Sequence, residues 1–142
     1  MTQGLPIAEF AFPGPLRDRL VAAILSGDKT TTTSLFREYV DSDGDELEPL
    51  PQVGARAAVI DSDGRRVCVI EATGVTVCRL AEVTHEHAVA EGEGFTTVAQ
   101  WRAGHEKFWH SPELRAEFGD AGFTVDDDTM VVCEEFAVVQ QD

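Results

Sequence analysis

The chain has 142 residues, 43% of them hydrophobic, and this length fits a single domain over residues 1–142 that buries a sizeable core. Its 11 lysine and arginine residues stand against 26 aspartate and glutamate residues, which gives a formal net charge of −15. A surface this acidic repels phosphate backbones, so we expect no stable, sequence-independent complex with long RNA or DNA.

The N-terminal part of the chain predicts an extended segment and then a helix. Residues 1–12 carry apolar side chains interrupted by glycine and proline, which is typical of an extended lead-in segment. Pro15 marks a helix start, and apolar residues recur every four positions from Leu16 onwards. We therefore predict an amphipathic helix that ends at Ser26 and is closed by Gly27.

The middle of the chain has the composition of strands and loops. Residues 29–36 are rich in β-branched side chains and predict a strand. The polar stretch 41–51 predicts a loop, which we interpret as a flap. Two apolar segments, 55–60 and 66–77, flank the turn signal at 61–64 and predict a hairpin.

Helices and a last strand are predicted for the remainder. Leu80 to Ala90 and Thr96 to Trp109 have helical periodicity, and Met130 to Val139 is typical of a closing strand. This order of elements lacks the regular strand and helix alternation of a doubly wound sheet. We therefore predict an α+β fold, with helices around a small, mostly antiparallel β-barrel.

The three cysteines and the N-terminal residues give evidence on the cellular compartment of the protein. Cys68, Cys78 and Cys133 lie in apolar, strand-like segments without a C-x-x-C motif, and we interpret them as small buried hydrophobes. The sequence shows no positively charged start followed by an apolar stretch, and no uncharged run of membrane-spanning length. We therefore expect a cytoplasmic protein that makes no membrane contact.

One lysine, Lys29, precedes five consecutive hydroxyl side chains, residues 30–34. The pKa of a lysine falls readily on burial, so it can become a base, and a hydroxyl beside such a base can become a nucleophile. In a regular strand Lys29 and Thr32 face opposite sides, so they meet only where the backbone turns or bulges. The alternative is a solvated lysine at the edge of a threonine-rich strand.

Two carboxylates, Glu91 and Glu93, alternate with glycines at the end of a predicted helix. A carboxylate there lies at the unfavourable end of the helix dipole, which invites a compensating role. For Glu91, that role would be contact with a buried lysine. The alternative is a glycine-capped helix whose acids are solvated.

The four histidines do not predict a metal site. His85 and His87 have the H-x-H form of certain hydrolases, but those sites draw further ligands from a barrel too large for this chain. His105 and His110 miss the H-E-x-x-H spacing. We therefore predict no metal, although a pair of histidines that cleaves RNA by acid and base catalysis remains an alternative.

Other side chains suit a nucleoside. Trp101, His105, Phe108 and Trp109 fall on one helical face, which is more often core than a ligand platform, although such rings can border a nucleobase pocket. A local basic pocket for a nucleoside or a short strand has four candidates, Lys29, Arg37, Arg56 and Arg79. The chain lacks a phosphate-binding glycine loop, a nucleotide fingerprint and a G-x-S-x-G motif, which argues against a kinase, a dehydrogenase and an α/β-hydrolase, and we expect no cofactor.

The sequence resembles ASCH-domain proteins of the PUA-like superfamily over most of its length. The resemblance rests on the segments 26–30, 34–39, 51–54, 67–71, 88–94 and 132–136, together with Trp101, His105 and Phe108. It implies a PUA-like barrel. One branch of the family is an amidohydrolase that removes the acetyl group of N4-acetylcytidine. Other, longer relatives, which this chain resembles more in length and in its segment 91–94, are reported as ribonucleases or have no assigned activity.

For this chain, the resemblance implies a catalytic set of Lys29, Thr32 and Glu91, while the sequence leaves open whether Thr31 or Thr33 faces the pocket in place of Thr32. Lys29 would take the proton of Thr32, the Thr32 oxygen would attack the acetyl carbon, and Glu91 would help to return a proton to the departing amine. The residues expected to contact the substrate are Ser34, Arg37, Glu71, Trp101 and His105. Departures from the amidohydrolase branch are Ser34 in place of an arginine, the loop 41–51 and the helical stretch 101–118.

The leading hypothesis is therefore a small hydrolase of a modified nucleoside or a related amide. The acidic surface favours a free nucleoside over polymeric RNA. The alternatives are a ribonuclease of short single-stranded RNA and a non-catalytic RNA-binding module, whose binding would survive removal of the Lys29 and Thr32 side chains.

Overall fold

A five-stranded sheet carries the fold in the computed structural model, which describes residues 4–41 and 43–142. The strands are β1 (Ile7–Ala8), β2 (Thr31–Leu35), β3 (Arg56–Ile60), β4 (Arg66–Arg79) and β5 (Met130–Gln141). Their order across the sheet is β1-β3-β4-β5-β2; β1 runs parallel to β3, and the other pairings are antiparallel.

Four α-helices accompany this sheet in the described residues. They are α1 (Pro15–Ser26), α2 (His85–Ala90), α3 (Val98–Trp109) and α4 (Pro112–Phe118). Proline begins α1 and α4, and hydroxyl side chains of Thr84, Thr97 and Ser111 cap α2, α3 and α4. The predicted α+β class is confirmed.

The two longest strands change partners along their length. Register shifts between Val69 and Ile70 and between Ala72 and Gly74 bend β4. Its first part pairs with β3 as well as with β5, and its second part pairs with the stretch of β5 whose other edge carries β2. This bend divides the core. One cluster packs α1 against β3 and the first part of β4, and the other packs α2, α3 and α4 against β2 and β5.

The predicted barrel is not closed in the described part of the chain. The two edge strands, β1 and β2, do not pair with each other. The end of α2 contacts the start of β2, because Thr30 N donates to Ala90 O at 2.9 Å and Thr31 Oγ1 donates to His87 O at 2.9 Å. These two bonds fix α2 beside the strand entrance.

Two further predictions need correction. The helix predicted over residues 80–90 is interrupted, because Val83 and Thr84 are extended and Thr84 caps α2; only a 3₁₀ turn, Leu80–Glu82, precedes them. The predicted lead-in contributes the short strand β1. Residues 1–3 of that lead-in and Ser42 of the predicted loop lie outside the described residues.

The remaining observations concern the burial of the cysteines and the length of the helices. Cys68 is buried, and Cys78 and Cys133 are half-buried against the core that contains α3. Within residues 4–41 and 43–142, no helix has the length and apolar character needed to cross a bilayer.

Candidate active site

Lys29 lies almost fully buried between α1 and β2, with 2% of its side chain exposed. Its Nζ donates to the carbonyl oxygen of Thr31 at 2.8 Å, to that of Glu91 at 3.3 Å and to Glu91 Oε1 at 3.5 Å. These three oxygens match the three protons of an ammonium group. Lys29 is therefore held as a buried cation, and the predicted contact between Lys29 and Glu91 is present.

Glu91 is the centre of the cluster, and 2% of its side chain is exposed. Its Oε1 faces Lys29 and, at 3.1 Å, His105 Nε2. Its Oε2 accepts from Trp101 Nε1 at 2.6 Å and from Thr33 Oγ1 at 2.7 Å, and His87 Nε2 lies 3.4 Å away. Burial alone would raise the pKa of Glu91, but hydrogen bonds from His105 and His87 and the charges of His105 and Lys29 hold it well below its usual range.

The backbone after α2 explains how Glu91 reaches Lys29. Gly92 has φ +71°, and a Cβ built on it would lie 2.6 Å from Asp28 O and 2.9 Å from Lys29 Cα. Only glycine allows the chain to turn in this conformation while it touches the backbone before β2. The alternation of glutamate and glycine at 91–94 thus has a structural cause that the sequence alone did not show.

His105, on α3, is a second cation in the cluster. Its Nδ1 bonds to the carbonyl oxygen of Trp101 at 2.9 Å, and its Nε2 bonds to ionised Glu91. Both partners are acceptors, so both ring nitrogens carry protons. Burial would lower the pKa of His105, but the hydrogen bond to Glu91 and the charges of Glu91 and Glu93 raise it.

Thr33, rather than Thr32, is the hydroxyl that touches this cluster. Its Oγ1 lies 2.7 Å from Glu91 Oε2 and 2.7 Å from His87 Nε2. Strand alternation places Thr32 on the opposite face of β2, opposite Glu134 in the neighbouring strand. In the described part of the chain, neither Lys29 nor Glu91 has Thr32 as a hydrogen-bond partner.

Sequence reasoning left open which of the threonines 30–33 faces the pocket, and it missed His87 as a member of the cluster. His87 precedes Glu91 by four residues, a helical spacing that puts two side chains on one face. That spacing is the signal that would have found His87, whereas the four consecutive threonines 30–33 carry no pattern that marks Thr33 as the buried one.

Two of the predicted substrate contacts lie in the cluster. Trp101 is fully buried, with its indole on Glu91, and His105 stacks on it with ring centroids 4.3 Å apart. Trp101 thus acts on the site by holding Glu91, whereas His105 lies nearer the surface, with 12% of its side chain exposed.

The other predicted contacts lie elsewhere. Ser34 shares the face of Thr32, and its Oγ lies 2.9 Å from the hydroxyl of Tyr39. The Arg37 guanidinium lies over the Phe118 and Phe123 rings, at 4.4 and 4.7 Å from their centroids. Among the described residues, the partners of Ser34 and Arg37 do not include Lys29 or Glu91.

The predicted basic pocket does not assemble around Lys29. Arg56 pairs with Glu71, itself a predicted substrate contact, at 2.9 Å, and Arg79 pairs with Asp128 at 3.0 Å. These ion pairs are partly exposed and hold both arginines to neighbouring acids.

Cys133 lies opposite Thr33 in the sheet but is not a competing nucleophile. Burial, together with the neighbouring Cys78, raises the pKa of Cys133 to about 12. Because the thiolate is the reactive form of cysteine, the neutral thiol of Cys133 is a weak nucleophile.

One potential metal-ligand set occurs among the described residues. Ligand atoms of Glu91, Glu93 and His105 lie within 4.8 Å of one another. Two cations already contact Glu91, since Lys29 Nζ and His105 Nε2 lie 3.5 and 3.1 Å from Oε1. The geometry suits proton transfer between these groups.

Comparisons with known proteins agree with the fold. The family described as "ASCH domain" matches residues 9–140. An ASCH domain structure from Lactobacillus crispatus JV V101 is 29% identical, with a TM-score of 0.79, over 96% of this chain and 80% of that one. Protein EF3133 from Enterococcus faecalis V583 is 27% identical, with a TM-score of 0.73, over 89% of this chain and 70% of that one.

No curated protein matches the chain. The family match spans nearly the whole sequence, including Lys29, Glu91 and both helices that carry the histidines of the cluster. The chain therefore belongs to the ASCH domain family.

Proposed function

We propose that the protein is a hydrolase of an acylated nucleoside or a related amide, with Lys29 and Glu91 at its reaction centre. The observation that carries the proposal is the buried ion pair, in which each side chain is 2% exposed. Burial of such a pair costs free energy that apolar residues of similar volume would not cost. Buried charges with shifted pKa values cluster at functional sites, which supports a role in catalysis.

The surroundings of the pair contain what amide hydrolysis requires. A hydroxyl contacts a carboxylate, and two imidazoles at the rim, on His87 and His105, are 10% and 12% exposed. The carboxylate and imidazoles are groups that transfer protons, and the hydroxyl is a nucleophile once it loses its proton.

The resemblance assigns the nucleophile to Thr32, with Lys29 as base and Glu91 as proton donor. That scheme needs neutral Lys29 and protonated Glu91, whereas the structure holds both groups charged. A substrate that excludes water would have to drive one proton across the 3.5 Å between Nζ and Oε1. The scheme therefore makes catalysis depend on both members of the pair.

The test is release of cytidine from N4-acetylcytidine by the purified protein. We expect Lys29→Met and Glu91→Gln to lower kcat/KM by about 100-fold or more, the scale of an acid or base catalyst. Glu86→Gln, an exposed position on α2, is the matched control and should retain wild-type activity. Far-ultraviolet circular dichroism would verify that each variant is folded. Unchanged nucleoside after incubation with the wild type would contradict the proposal.

A ribonuclease of short single-stranded RNA is the second candidate. The observation in its favour is that His87 and His105, from different helices, both contact Glu91. Two imidazoles can act as acid and base in RNA cleavage. A short unmodified RNA tests this candidate, since cleavage should fall in both His87→Asn and His105→Asn and persist in Lys29→Met. Intact RNA with the wild type would exclude it.

A further inference from the structure

We infer that the nucleophile of this reaction is the hydroxyl of Thr33, and that His105 delivers the proton to the departing amine. This inference rests on the proposed amide hydrolysis and replaces Thr32 in its scheme. The two assignments differ by one residue in a strand, so they differ in the face of the sheet on which the bond is broken.

The contacts of Thr33 carry the first half of the inference. A hydroxyl has one proton to donate, and both neighbours of Thr33 Oγ1, Glu91 Oε2 and His87 Nε2, lie 2.7 Å away. Ionised Glu91 can only accept, so the hydroxyl donates to it and accepts from His87 Nε2–H. Glu91 is thus already in line to remove the proton of Thr33.

Thr32 lacks these contacts. Its side chain lies on the other face of β2, and the amine of Lys29 already donates to three oxygens of Thr31 and Glu91. For Lys29 to serve Thr32 as a base, the amine would have to leave these partners and lose a proton. Thr33 needs neither change.

The contacts of His105 carry the second half. Its Nε2 proton points to Glu91 Oε1 at the partly exposed rim of the cluster. When that proton leaves, the Nδ1 proton stays on the carbonyl oxygen of Trp101, so the ring keeps its orientation. Glu91 cannot be the donor at the start, because it is ionised.

The steps balance without a further reactant except water. In acylation the Thr33 proton passes to Glu91, Oγ1 bonds to the acyl carbon, the C–N bond breaks and His105 protonates the amine. In deacylation neutral His105 takes a proton from water, the hydroxide attacks the ester, and Thr33 recovers its proton from Glu91. Lys29 remains an ammonium throughout, and its positive charge stabilises the carboxylate of Glu91 while that group is ionised.

The matched pair Thr33→Val and Thr32→Val tests the nucleophile, because valine keeps the branched shape and removes only the hydroxyl. With N4-acetylcytidine we expect Thr33→Val to lose about 100-fold or more in kcat/KM and Thr32→Val to lose far less. Thr33→Ser should retain measurable turnover. Acid quenching and fragmentation mass spectrometry should locate the acetyl group on residue 33.

Results that would overturn the assignment of Thr33 differ from the result that would overturn the proposed hydrolase function. An acetyl group on Thr32, or a larger loss in Thr32→Val, would overturn the assignment while hydrolysis itself stands. Equal losses in both variants with no adduct on either residue would also overturn it. No turnover by the wild type would instead remove the proposed function.

The pH profile tests His105 separately. A proton donor must be protonated, so kcat of the wild type should fall as pH rises through the raised pKa of His105. His105→Asn should show lower kcat and lack this alkaline fall. Retention of the same fall in the variant would overturn the assignment of the proton donor.

Discussion

At Glu91, one carboxylate organises side chains that come from four separate segments of the chain. Lys29 precedes β2, Thr33 lies within it, His87 lies on α2, and Trp101 and His105 lie on α3. Each donor lowers the cost of keeping a negative charge out of water. Removing one partner of such a buried pair typically costs about 3–5 kcal/mol, because the other charge is left uncompensated.

The charge state of His105 makes stability depend on pH. Burial alone would lower the pKa of His105, but the hydrogen bond to Glu91, the charges of Glu91 and Glu93 and the hydrogen bond to Trp101 together raise it in the folded protein. The stabilising contribution is therefore complete below the ordinary value of 6.5 and is lost as pH rises through the folded value. The free-energy difference between wild type and His105→Asn should be largest below pH 6.5 and shrink at alkaline pH.

Urea unfolding at a series of pH values measures this difference. His85→Asn, an exposed position at the start of α2, is the control and should follow the wild type. A difference that grows at alkaline pH would contradict the charge assigned to His105. Glu91 works in the opposite direction, because its lowered pKa gives stability that is lost as pH falls below 4.5.

At the scale of elements, the turn between α2 and α3 decides whether the cluster forms. We expect Gly92→Ala to be strongly destabilising, because its Cβ would meet the backbone of Asp28 and Lys29 at 2.6–2.9 Å. Gly94→Ala is the matched control, since Gly94 also has positive φ, +86°, but a methyl group added there would have no neighbour within 4 Å. The control should cost about 1–2 kcal/mol, the penalty of the left-handed conformation alone.

Thermal and urea unfolding of the two glycine variants give the comparison. The excess loss in Gly92→Ala isolates the close approach of α2 to the strand entrance. Equal losses of unfolding free energy in the two variants would mean that the left-handed conformation of Gly92, rather than its close approach to Lys29, accounts for the destabilisation. Cytidine release should fall further in Gly92→Ala, because Glu91 would move away from Lys29.

The same scale shows what the sequence could predict. The extent of α1 follows from its apolar periodicity and those of β2 and β5 approximately from their strand-like composition, and the family resemblance paired Lys29 with Glu91. The phase of β2 did not follow, because a run of four threonines carries no alternation to mark the buried face. The contact of α2 with the start of β2 also did not follow, since the bonded residues Thr31 and His87 are 56 positions apart in the chain.

The interaction partners of the arginines could not be predicted from the sequence either. Arg37 was predicted to contact a nucleoside or a short strand, but two rings distant in the chain, on Phe118 and Phe123, and the carboxylate of Asp120 contact its guanidinium. A charged side chain pairs with whichever groups the fold brings near it. For Arg37 these groups come from α4 and the loop that follows α4. Local sequence therefore identified which groups carry charge and left open which ones meet.

At the scale of the whole molecule, negative charge dominates the surface. The net charge is −15, and the cation at the reaction centre, Lys29, is buried. Several surface arginines are paired with acids, among them Arg56, Arg66, Arg79 and Arg102. A neutral nucleoside can approach such a surface without electrostatic repulsion, whereas the phosphates of an RNA strand are repelled by it.

This repulsion gives a salt dependence opposite to that of a basic RNA-binding protein. We expect N4-acetylcytidine within a short oligonucleotide to be hydrolysed more slowly than the free nucleoside at low salt, and the rate to rise as salt is added. The reason is screening, since the Debye length falls from about 30 Å at 0.01 M to about 10 Å at 0.1 M ionic strength. The free nucleoside is uncharged and serves as the control, with little change over the same range. A kcat/KM for the oligonucleotide that falls with salt would contradict this expectation, because it would require a basic surface that releases counterions on binding.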